Sequence, residues 1–304
     1  MTESQHPARF VSSSTEPIGL IGIGLMGTVI AERLLRANYH IIGWDLAPER
    51  CRALTDAGGE AASGIAEIIT SCRRIVLSLP THETVAEILQ NVRELLRPGH
   101  VIIDTSTGDP LAAGARADEL SAGGIEYLDA TVSGSSAQLR DGTAVLLVGA
   151  TDAAFLDNRE LLSSLGEKIF HTGPPGSGAR MKLVTNLVLG LNRAALAEGL
   201  CFARGLGLDL DQVLMLLRES IAYSRIMDTK GEKMLRGDFS PQAKLSQHLK
   251  DVRLIQSAAR EAEMMLPLTE THRRLLEHAE QMGLGDLDNS AILNAIAAQR
   301  LPSD

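Results

Sequence analysis

The feature that most constrains this chain is a group of three glycines close to its start. The stretch IGLIGIGLMG is apolar and strand-like until it breaks into Gly22, Gly24 and Gly27, and it runs directly into a helical pattern, TVIAERLLRAN. In this order the first glycine permits a tight turn, the second lets backbone approach a pyrophosphate, and the third allows close helix–strand packing. Leu25 and Met26 complete the loop at the helix N-terminus, where phosphate binds. The pattern predicts a dinucleotide-binding unit.

A second strand-like segment, HIIGWD, ends at Asp45. A carboxylate at this position accepts hydrogen bonds from the adenosine ribose hydroxyls and repels a 2′-phosphate. The next three residues, LAP, lack the arginine that usually accommodates that phosphate. We therefore expect NAD to be preferred over NADP, with a turn or helix-capping role as the alternative for Asp45.

Strand-like and helix-like patterns continue to alternate through the first half of the chain. The segments typical of strands are RRIVLSLP, HVIIDTSTGDP, IEYLDA and TAVLLVGA. The segments typical of helices are THETVAEILQNV and LAAGARADELSAGG. This alternation indicates a mostly parallel, doubly wound sheet, whose ligands bind beyond the carboxyl ends of its strands. Leu79, Thr84, Ser106 and Thr107 follow such strand ends, so we expect them either to line the cofactor site or to be ordinary loop residues.

The pattern becomes helical after HTGPPGSG. A long apolar run, MKLVTNLVLGLNRAALAEGLCFARGLG, precedes DLDQVLMLLRES, KLSQHLKDVRLIQSAAREA, TETHRRLLEHAEQMG and a short segment near SAILNAIAAQ. We expect an α/β chain with a flexible tail at residues 1–17, an N-terminal Rossmann-type domain at residues 18–178 and an all-α domain at residues 179–304. The first helix is apolar on several faces, which is typical of a domain link or a subunit interface.

Composition argues against several kinds of partner. A formal net charge of −9 and only nine aromatic residues (one Trp, three Tyr and five Phe) disfavour nucleic acid. No run approaches the roughly 18–20 apolar residues that cross a bilayer, and the N-terminus lacks a secretory signal pattern. Cys51, Cys72 and Cys201 are scattered without disulfide-framework or zinc-site spacing. We expect a cytoplasmic protein that binds no metal, nucleic acid or membrane.

Lys182 and Asn186 stand out at the start of the long apolar helix. They are four residues apart, so they share one helical face and can project together into a cleft. The alternative is that Lys182 lies near a helix end and extends its ammonium group to water past an apolar stem.

Four segments together resemble the β-hydroxyacid dehydrogenase family: GIGLMG, DATVSGSSAQLRDG, GSGARMKLVTN and KDVRL. The family includes 3-hydroxyisobutyrate dehydrogenases, tartronate semialdehyde reductases and glyoxylate or succinic semialdehyde reductases. The resemblance extends over nearly all of the chain beyond residue 17. It implies an NAD(P)-dependent oxidoreductase that interconverts a small 3-hydroxy acid and its semialdehyde. It also implies a homodimer or homotetramer with the long helix at its interface.

The resemblance implies roles for individual residues. Lys182 corresponds to the catalytic lysine, Asn186 helps to position it or the substrate hydroxyl, and Lys250 approaches substrate and nicotinamide from the helical domain. The substrate carboxylate is expected at three consecutive residues: Ser133, Gly134 and Ser135. Where the family usually has DAPVSGG, this chain has Thr131 and Ser135. We expect a looser loop there, and the substrate's identity stays open.

The chemistry constrains the lysine. Hydride transfer to a carbonyl leaves negative charge on oxygen, where a positioned ammonium can donate a proton. A lysine near its ordinary pKa of about 10.4 is a poor base at neutral pH. We therefore expect partial burial or a neighbouring cation, with Lys250 as the candidate, to lower the pKa of Lys182.

Three other functions remain possible for such a chain. Imine reductases share the architecture but generally lack the catalytic lysine and prefer NADPH, so Lys182 and Asp45 argue against them. Decarboxylating 6-phosphogluconate-type enzymes have a much longer helical domain. A noncatalytic dinucleotide-binding module would retain the fold alone, and the combination of Lys182, Asn186 and Lys250 weighs against it.

Overall fold

The computed structural model describes residues 16–299, so the predicted flexible tail lies almost entirely outside the described residues. The strands are β1 (Ile18–Ile21), β2 (Ile41–Trp44), β3 (Glu60–Ala61), β4 (Arg74–Leu77), β5 (Val101–Asp104), β6 (Glu126–Ser133), β7 (Val145–Gly149) and β8 (Lys168–Gly173). The helices between them are α1 (Leu25–Arg36), α2 (Pro48–Asp56), α3 (Ile65–Ser71), α4 (His82–Asn91), α5 (Pro110–Ser121), α6 (Ser136–Arg140) and α7 (Asp152–Leu165).

The strands form one sheet in the order β3-β2-β1-β4-β5-β6-β7-β8. Neighbouring strands are parallel except for β6 and β7, which are antiparallel. The chain moves outward from β1 in one direction to β2 and β3, and then in the other to β4, so a crevice opens beyond the carboxyl ends of β1 and β4. The predicted Rossmann-type, mostly parallel sheet is confirmed. Two strands escaped the sequence analysis: β3, of two residues, and β8.

Both faces of the sheet are covered, which explains why its strands are continuously apolar. Successive side chains of a strand point to opposite faces. Leu20 therefore packs in one core with Ile30 and Leu34 of α1, whereas Ile21 packs in another with Ile68 of α3.

The chain beyond β8 is helical. It forms α8 (Ser177–Gly205), α9 (Leu210–Glu219), α10 (Ile226–Arg236), α11 (Leu245–Glu261), α12 (Pro267–Gln281) and α13 (Ile292–Ala297), around a third core that includes Leu200, Leu249 and Leu276. The sequence analysis missed α10, because its charged residues hide a short buried stripe of Ile226, Met227 and Met234. No described helix combines the length and apolar character needed to cross a bilayer. The predicted domain boundary near residue 178 stays a prediction, in the first turn of α8.

Candidate active site

The glycine loop has the shape that a bound pyrophosphate requires. Gly22 has φ +93°, and a Cβ there would lie 2.3 Å from the Ser78 carbonyl oxygen; a Cβ at Gly27 would lie 2.0 Å from the Gly22 carbonyl oxygen. Both positions therefore exclude a side chain. A Cβ at Gly24 would meet only Arg50 Nη1, at 3.8 Å, so the loop surface is open at the N-terminus of α1, which has no side-chain cap. These residues fit a dinucleotide, with Leu25 exposed and Met26 packed on the core.

Asp45 is tied to this loop. Its Oδ2 accepts a hydrogen bond from the Ile23 N–H at 2.7 Å, and its Oδ1 accepts one from the Ala47 N–H at 2.9 Å. The guanidinium of Arg50 lies 3.3 Å from Oδ2. Partial burial acts to raise the pKa of Asp45, but the hydrogen bonds and Arg50 outweigh it and hold the pKa below its ordinary value. The sequence analysis found no arginine directly after Asp45; the first turn of α2 supplies one instead.

The carboxyl ends of β4 and β5 are joined by a hydrogen bond from the Leu79 N–H to Ser106 Oγ at 3.0 Å. Thr84 lies in the first turn of α4, which is capped by Thr81, and the two threonine hydroxyls are 3.2 Å apart. Thr107 follows Ser106 and is half-buried. Four of the expected cofactor residues therefore lie along the predicted edge of the sheet, and Ser106 also has a structural role there.

The start of α8 is anchored to the sheet by a buried carboxylate that sequence reasoning missed. Asp129 Oδ1 accepts from the Gly176 N–H and Oδ2 from the Ala179 N–H, each at 2.6 Å. A Cβ at Gly178 would lie 2.6 Å from the Leu147 carbonyl oxygen, so the first turn of α8 lies directly against β6 and β7. Burial raises the pKa of Asp129 to about 6, although both N–H donors act to lower it. These contacts determine where the following turn carries Lys182.

Lys182 is buried, with 7% of its surface exposed, and its Nζ donates to the Val132 carbonyl oxygen at 2.6 Å. The snorkelling alternative is therefore wrong for this lysine. Burial lowers the pKa of Lys182 to about 8, and the carboxylate of Asp251 acts in the opposite direction. The sequence analysis expected burial or a neighbouring cation to lower this pKa. Burial does so, but the neighbouring charge is the carboxylate of Asp251 rather than the ammonium of Lys250.

Asn186 lies one turn further along α8, and its Nδ2 donates to Asp251 Oδ2 at 3.1 Å. Asp251 is 8% exposed, and its Oδ1 has no hydrogen-bond partner among residues 16–299. Burial raises the pKa of Asp251, although Lys250 and Lys182 act to lower it. Sequence reasoning did not select Asp251, even though it directly follows Lys250 in KDVRL.

Lys250 bridges the two parts of the chain. Its Nζ donates to the Pro80 carbonyl oxygen at 3.0 Å, directly after Leu79, and lies 4.0 Å from Asp251 Oδ1. The helical part therefore contributes an ammonium group to the crevice beside β4.

The expected carboxylate site follows directly after Val132. Ser133 ends β6 and is half-buried, and Gly134 has φ +153°. Ser135 caps α6: its Oγ accepts from the Gln138 N–H, and its own N–H donates to Gln138 Oε1 at 2.9 Å. The predicted loosening at Thr131 is wrong, because this residue pairs with Leu147 inside the sheet, is 1% exposed and donates to the Gly178 carbonyl oxygen at 3.3 Å.

Comparison with known proteins places this geometry in a family. Residues 17–173 match the model described as the NAD binding domain of 6-phosphogluconate dehydrogenase, and residues 176–296 match the NAD-binding domain model of NADP-dependent 3-hydroxyisobutyrate dehydrogenase. The 2-(hydroxymethyl)glutarate dehydrogenase of Eubacterium barkeri is 32% identical over 280 residues, which are 91% of this chain and 93% of that protein. The chain belongs to the β-hydroxyacid dehydrogenase family.

Other members of the β-hydroxyacid dehydrogenase family agree. The 2-hydroxy-3-oxopropionate reductase of Escherichia coli is 30% identical, over 92% of this chain and 96% of that protein. The crystal structure of a 3-hydroxyisobutyrate dehydrogenase from Salmonella typhimurium superposes with a TM-score of 0.83 at 26% identity, over 92% of this chain and 99% of that chain. The chain is accordingly an NAD(P)-dependent oxidoreductase that acts on the CH–OH group of hydroxy acids. Within residues 16–299, no cluster of three or more His, Cys, Asp or Glu side chains is arranged to hold a metal ion.

Proposed function

We propose that this β-hydroxyacid dehydrogenase interconverts a small 3-hydroxy acid and its semialdehyde, with Lys182 as the general acid and base. The observation that carries the proposal is the buried Lys182 ammonium, held at the Val132 carbonyl directly before Ser133 and Gly134. A proton donor beside a carboxylate-binding turn suits a substrate whose reacting carbon lies close to its carboxylate.

The nicotinamide of a bound cofactor supplies the hydride in reduction and accepts it in oxidation. Lys182 donates a proton to the carbonyl oxygen as negative charge develops there, and recovers it in the reverse direction. A lysine whose burial lowers its pKa to about 8 has both protonation states available near neutral pH. Asn186, fixed by Asp251, orients the hydroxyl next to that ammonium.

We propose that the substrate carboxylate binds at Ser133 and Gly134. A hydroxyl and backbone N–H groups at a glycine turn are suitable donors for an anion. Ser135 uses its N–H and an oxygen lone pair in the α6 cap, which leaves its hydroxyl hydrogen for a ligand. Lys250 adds positive charge from the helical side of the crevice.

The names of two relatives support this substrate class. Both 2-(hydroxymethyl)glutarate and 2-hydroxy-3-oxopropionate are carboxylates whose alcohol or aldehyde carbon lies β to a carboxylate. We therefore propose substrates of the 3-hydroxyisobutyrate or tartronate semialdehyde type.

For the cofactor we propose a preference for NAD(H). The Asp45 carboxylate is fixed by two backbone N–H groups where a 2′-phosphate would lie, and its pKa below the ordinary value keeps it charged. The guanidinium of Arg50 is the group that would bind a 2′-phosphate. Discrimination against NADP(H) therefore depends on whether the repulsion by Asp45 outweighs the attraction by Arg50.

We propose a homodimer or homotetramer with α8 at its interface. Val184, Val188 and Phe202 on that helix are 59%, 51% and 67% exposed in the single chain. Large apolar side chains that recur along one helix indicate a surface covered by another subunit.

For the location we propose the cytoplasm. The cysteines do not form disulfides, which supports a reducing compartment of this kind; they are Cys51, Cys72 and Cys201.

The decisive experiment measures initial rates on a panel of semialdehydes and 3-hydroxy acids, with both nicotinamide cofactors, in the wild type and in Lys182→Met. We expect Lys182→Met to reduce kcat by roughly 10²–10⁴-fold and to leave the Kd for NADH nearly unchanged. The variant should fold, because it replaces a buried cation with an apolar side chain of similar length. Comparable turnover in the variant would remove Lys182 from the mechanism. Turnover of imines but not of 3-oxo acids would favour an imine reductase, and cofactor binding without any turnover would favour a noncatalytic module.

A further inference from the structure

A second group of buried polar side chains lies further along α8. Arg193 is 3% exposed, and its Nε and Nη1 have no hydrogen-bond partner among the described residues. It follows Lys182 by eleven residues, or roughly 16 Å along the axis at 1.5 Å per residue. Arg193 is therefore out of reach of a small substrate that reacts at Lys182.

Two imidazoles from neighbouring helices converge on the same face of α8. His248 of α11 and His272 of α12 are 6% and 3% exposed, and their ring centroids are 5.2 Å apart. A Cβ at Gly190 would lie 2.6 Å from His248 Nε2 and 2.6 Å from His272 Cε1. The missing side chain at Gly190 lets both rings approach the helix. The Nε2 atom of each ring is buried and lacks a partner within residues 16–299.

The carboxylate of Asp288 acts on Arg193. Both of its oxygens, however, already accept hydrogen bonds from other groups. Its oxygens accept from Lys230 Nζ at 2.9 and 2.8 Å and from Ser290 Oγ at 2.7 Å. They also accept from three backbone N–H groups, those of Gln242, Ala243 and Ser290. Asp288 and Lys230 thus neutralise each other, and among residues 16–299 no other carboxylate acts on the charge of Arg193.

The two histidines do not add to this charge at neutral pH. Burial, followed by the charge of Arg193, lowers the pKa of His272 to about 4. Burial, followed by Arg193, His272 and Lys182, holds the pKa of His248 well below its ordinary value. The cluster therefore has one excess positive charge. A buried guanidinium without an anionic partner is strongly unfavourable.

We propose that Arg193, His248 and His272 form a binding site for one small monovalent anion, of the size of chloride or formate, with the Arg193 guanidinium about three helical turns from Lys182. The anion accepts hydrogen bonds from Nε–H and Nη1–H of Arg193 and from an Nε2–H of the imidazoles. Because both rings lie so close to Gly190, the cluster is too tightly packed for sulfate or a phosphate ester. A bound anion stabilises the packing of α11 and α12 on α8, the helix that carries Lys182.

The first test is the thermal stability of the full-length apoprotein at constant ionic strength, with sodium gluconate replaced stepwise by sodium chloride, formate or sulfate. We expect chloride and formate to raise the Tm of the wild type by on the order of 5 °C. Arg193→Met should lose this response, whereas the matched control Arg204→Met, an exposed arginine near the end of the same helix, should retain it. If Arg193→Met does not fold, His272→Leu serves instead, and its chloride response should shift to roughly tenfold higher concentration.

The second test locates the anion directly. Crystals of the wild type soaked in sodium bromide should show an anomalous peak between Arg193 and the two imidazoles. Three results would each overturn the proposal. The first is a Tm response that the wild type and Arg193→Met share. The second is a Tm that rises with sulfate but not with chloride or formate, and the third is a crystal without a bromide peak at Arg193.

Discussion

Lys182 illustrates how much of this site depends on one side chain's surroundings. An exposed lysine on α8 would be protonated at every physiological pH, whereas burial lowers its pKa to about 8. Desolvation destabilises the charged form of Lys182. The same effect brings its pKa close enough to neutral pH for the side chain both to donate and to accept a proton.

The pH profile follows from that shift. In the proposed mechanism reduction needs protonated Lys182, so kcat/KM for a semialdehyde should fall as the pH rises through about 8. Oxidation needs neutral Lys182, so kcat/KM for the hydroxy acid should rise through the same pH. Stopped-flow or steady-state rates between pH 6 and pH 10 provide the measurement. Parallel profiles in the two directions would contradict the assignment.

Asp45 and Arg50 form a pair of opposite charges at the adenosine end of the crevice. We expect Asp45→Ser to shift the ratio of kcat/KM for NADH over NADPH by on the order of 100-fold toward NADPH, because the repulsive carboxylate is removed and Arg50 becomes free for the phosphate.

The matched control is Asp45→Ser combined with Arg50→Ala, which should lose the NADPH activity that the single variant gains. If Asp45→Ser leaves the cofactor ratio unchanged, Asp45 has only the loop-stabilising role seen in its bonds to Ile23 and Ala47.

Of the residues at the candidate site that sequence reasoning missed, Asp251 was the easiest to find. Its carboxylate fixes Asn186, whose amide shares a helical face with Lys182. The sequence signal was its place next to Lys250, but a carboxylate beside a lysine on a helix usually indicates a solvated ion pair.

The start of α8 is the element on which the site depends. The glycines of the GSG segment are needed because the helix begins directly against β6 and β7, with Asp129 accepting hydrogen bonds from the N–H groups of Gly176 and Ala179.

We therefore expect Gly178→Ala to lower the free energy of unfolding by about 1–3 kcal/mol and to reduce kcat, because the new methyl would displace α8 and Lys182. Gly205→Ala at the exposed end of the same helix is the control, since a Cβ there meets nothing within 4 Å. It should be neutral or stabilise by roughly 0.5–1 kcal/mol. Urea denaturation and initial rates test both variants; equal stability of the two would contradict the packing argument.

Hydrophobic period was the main guide to the elements, although α7, with buried Leu161, Leu162 and Leu165, was not predicted. The period failed for α10, where the inward-facing Lys230 pairs with Asp288 and the polar pattern conceals a buried face. It also could not indicate that β7 runs antiparallel, since a buried strand has the same composition in either direction.

The exposed apolar face of α8 has consequences for the whole molecule. We expect Val188→Glu combined with Phe202→Glu to dissociate the proposed oligomer, because two desolvated carboxylates would oppose the burial of this face. Light scattering coupled to size exclusion measures the mass. Leu156→Glu, which changes an equally exposed leucine on α7, is the control and should leave the mass unchanged. A wild type that is monomeric at micromolar concentration would contradict the proposed assembly.

Local pattern was sufficient for the strand–glycine–helix unit, the doubly wound sheet and the change to a helical second half, because each depends on periodicity or on spacing within a few turns. For Lys182 the spacing left two readings open, and its catalytic role came from the family resemblance. Tertiary structure decided the rest. Lys182 meets the Val132 carbonyl across 50 residues of chain, and Asn186 meets Asp251 across 65. Burial, pKa and the excess charge at Arg193 depend on such distant neighbours, whose approach is governed by packing of whole elements rather than by any local segment.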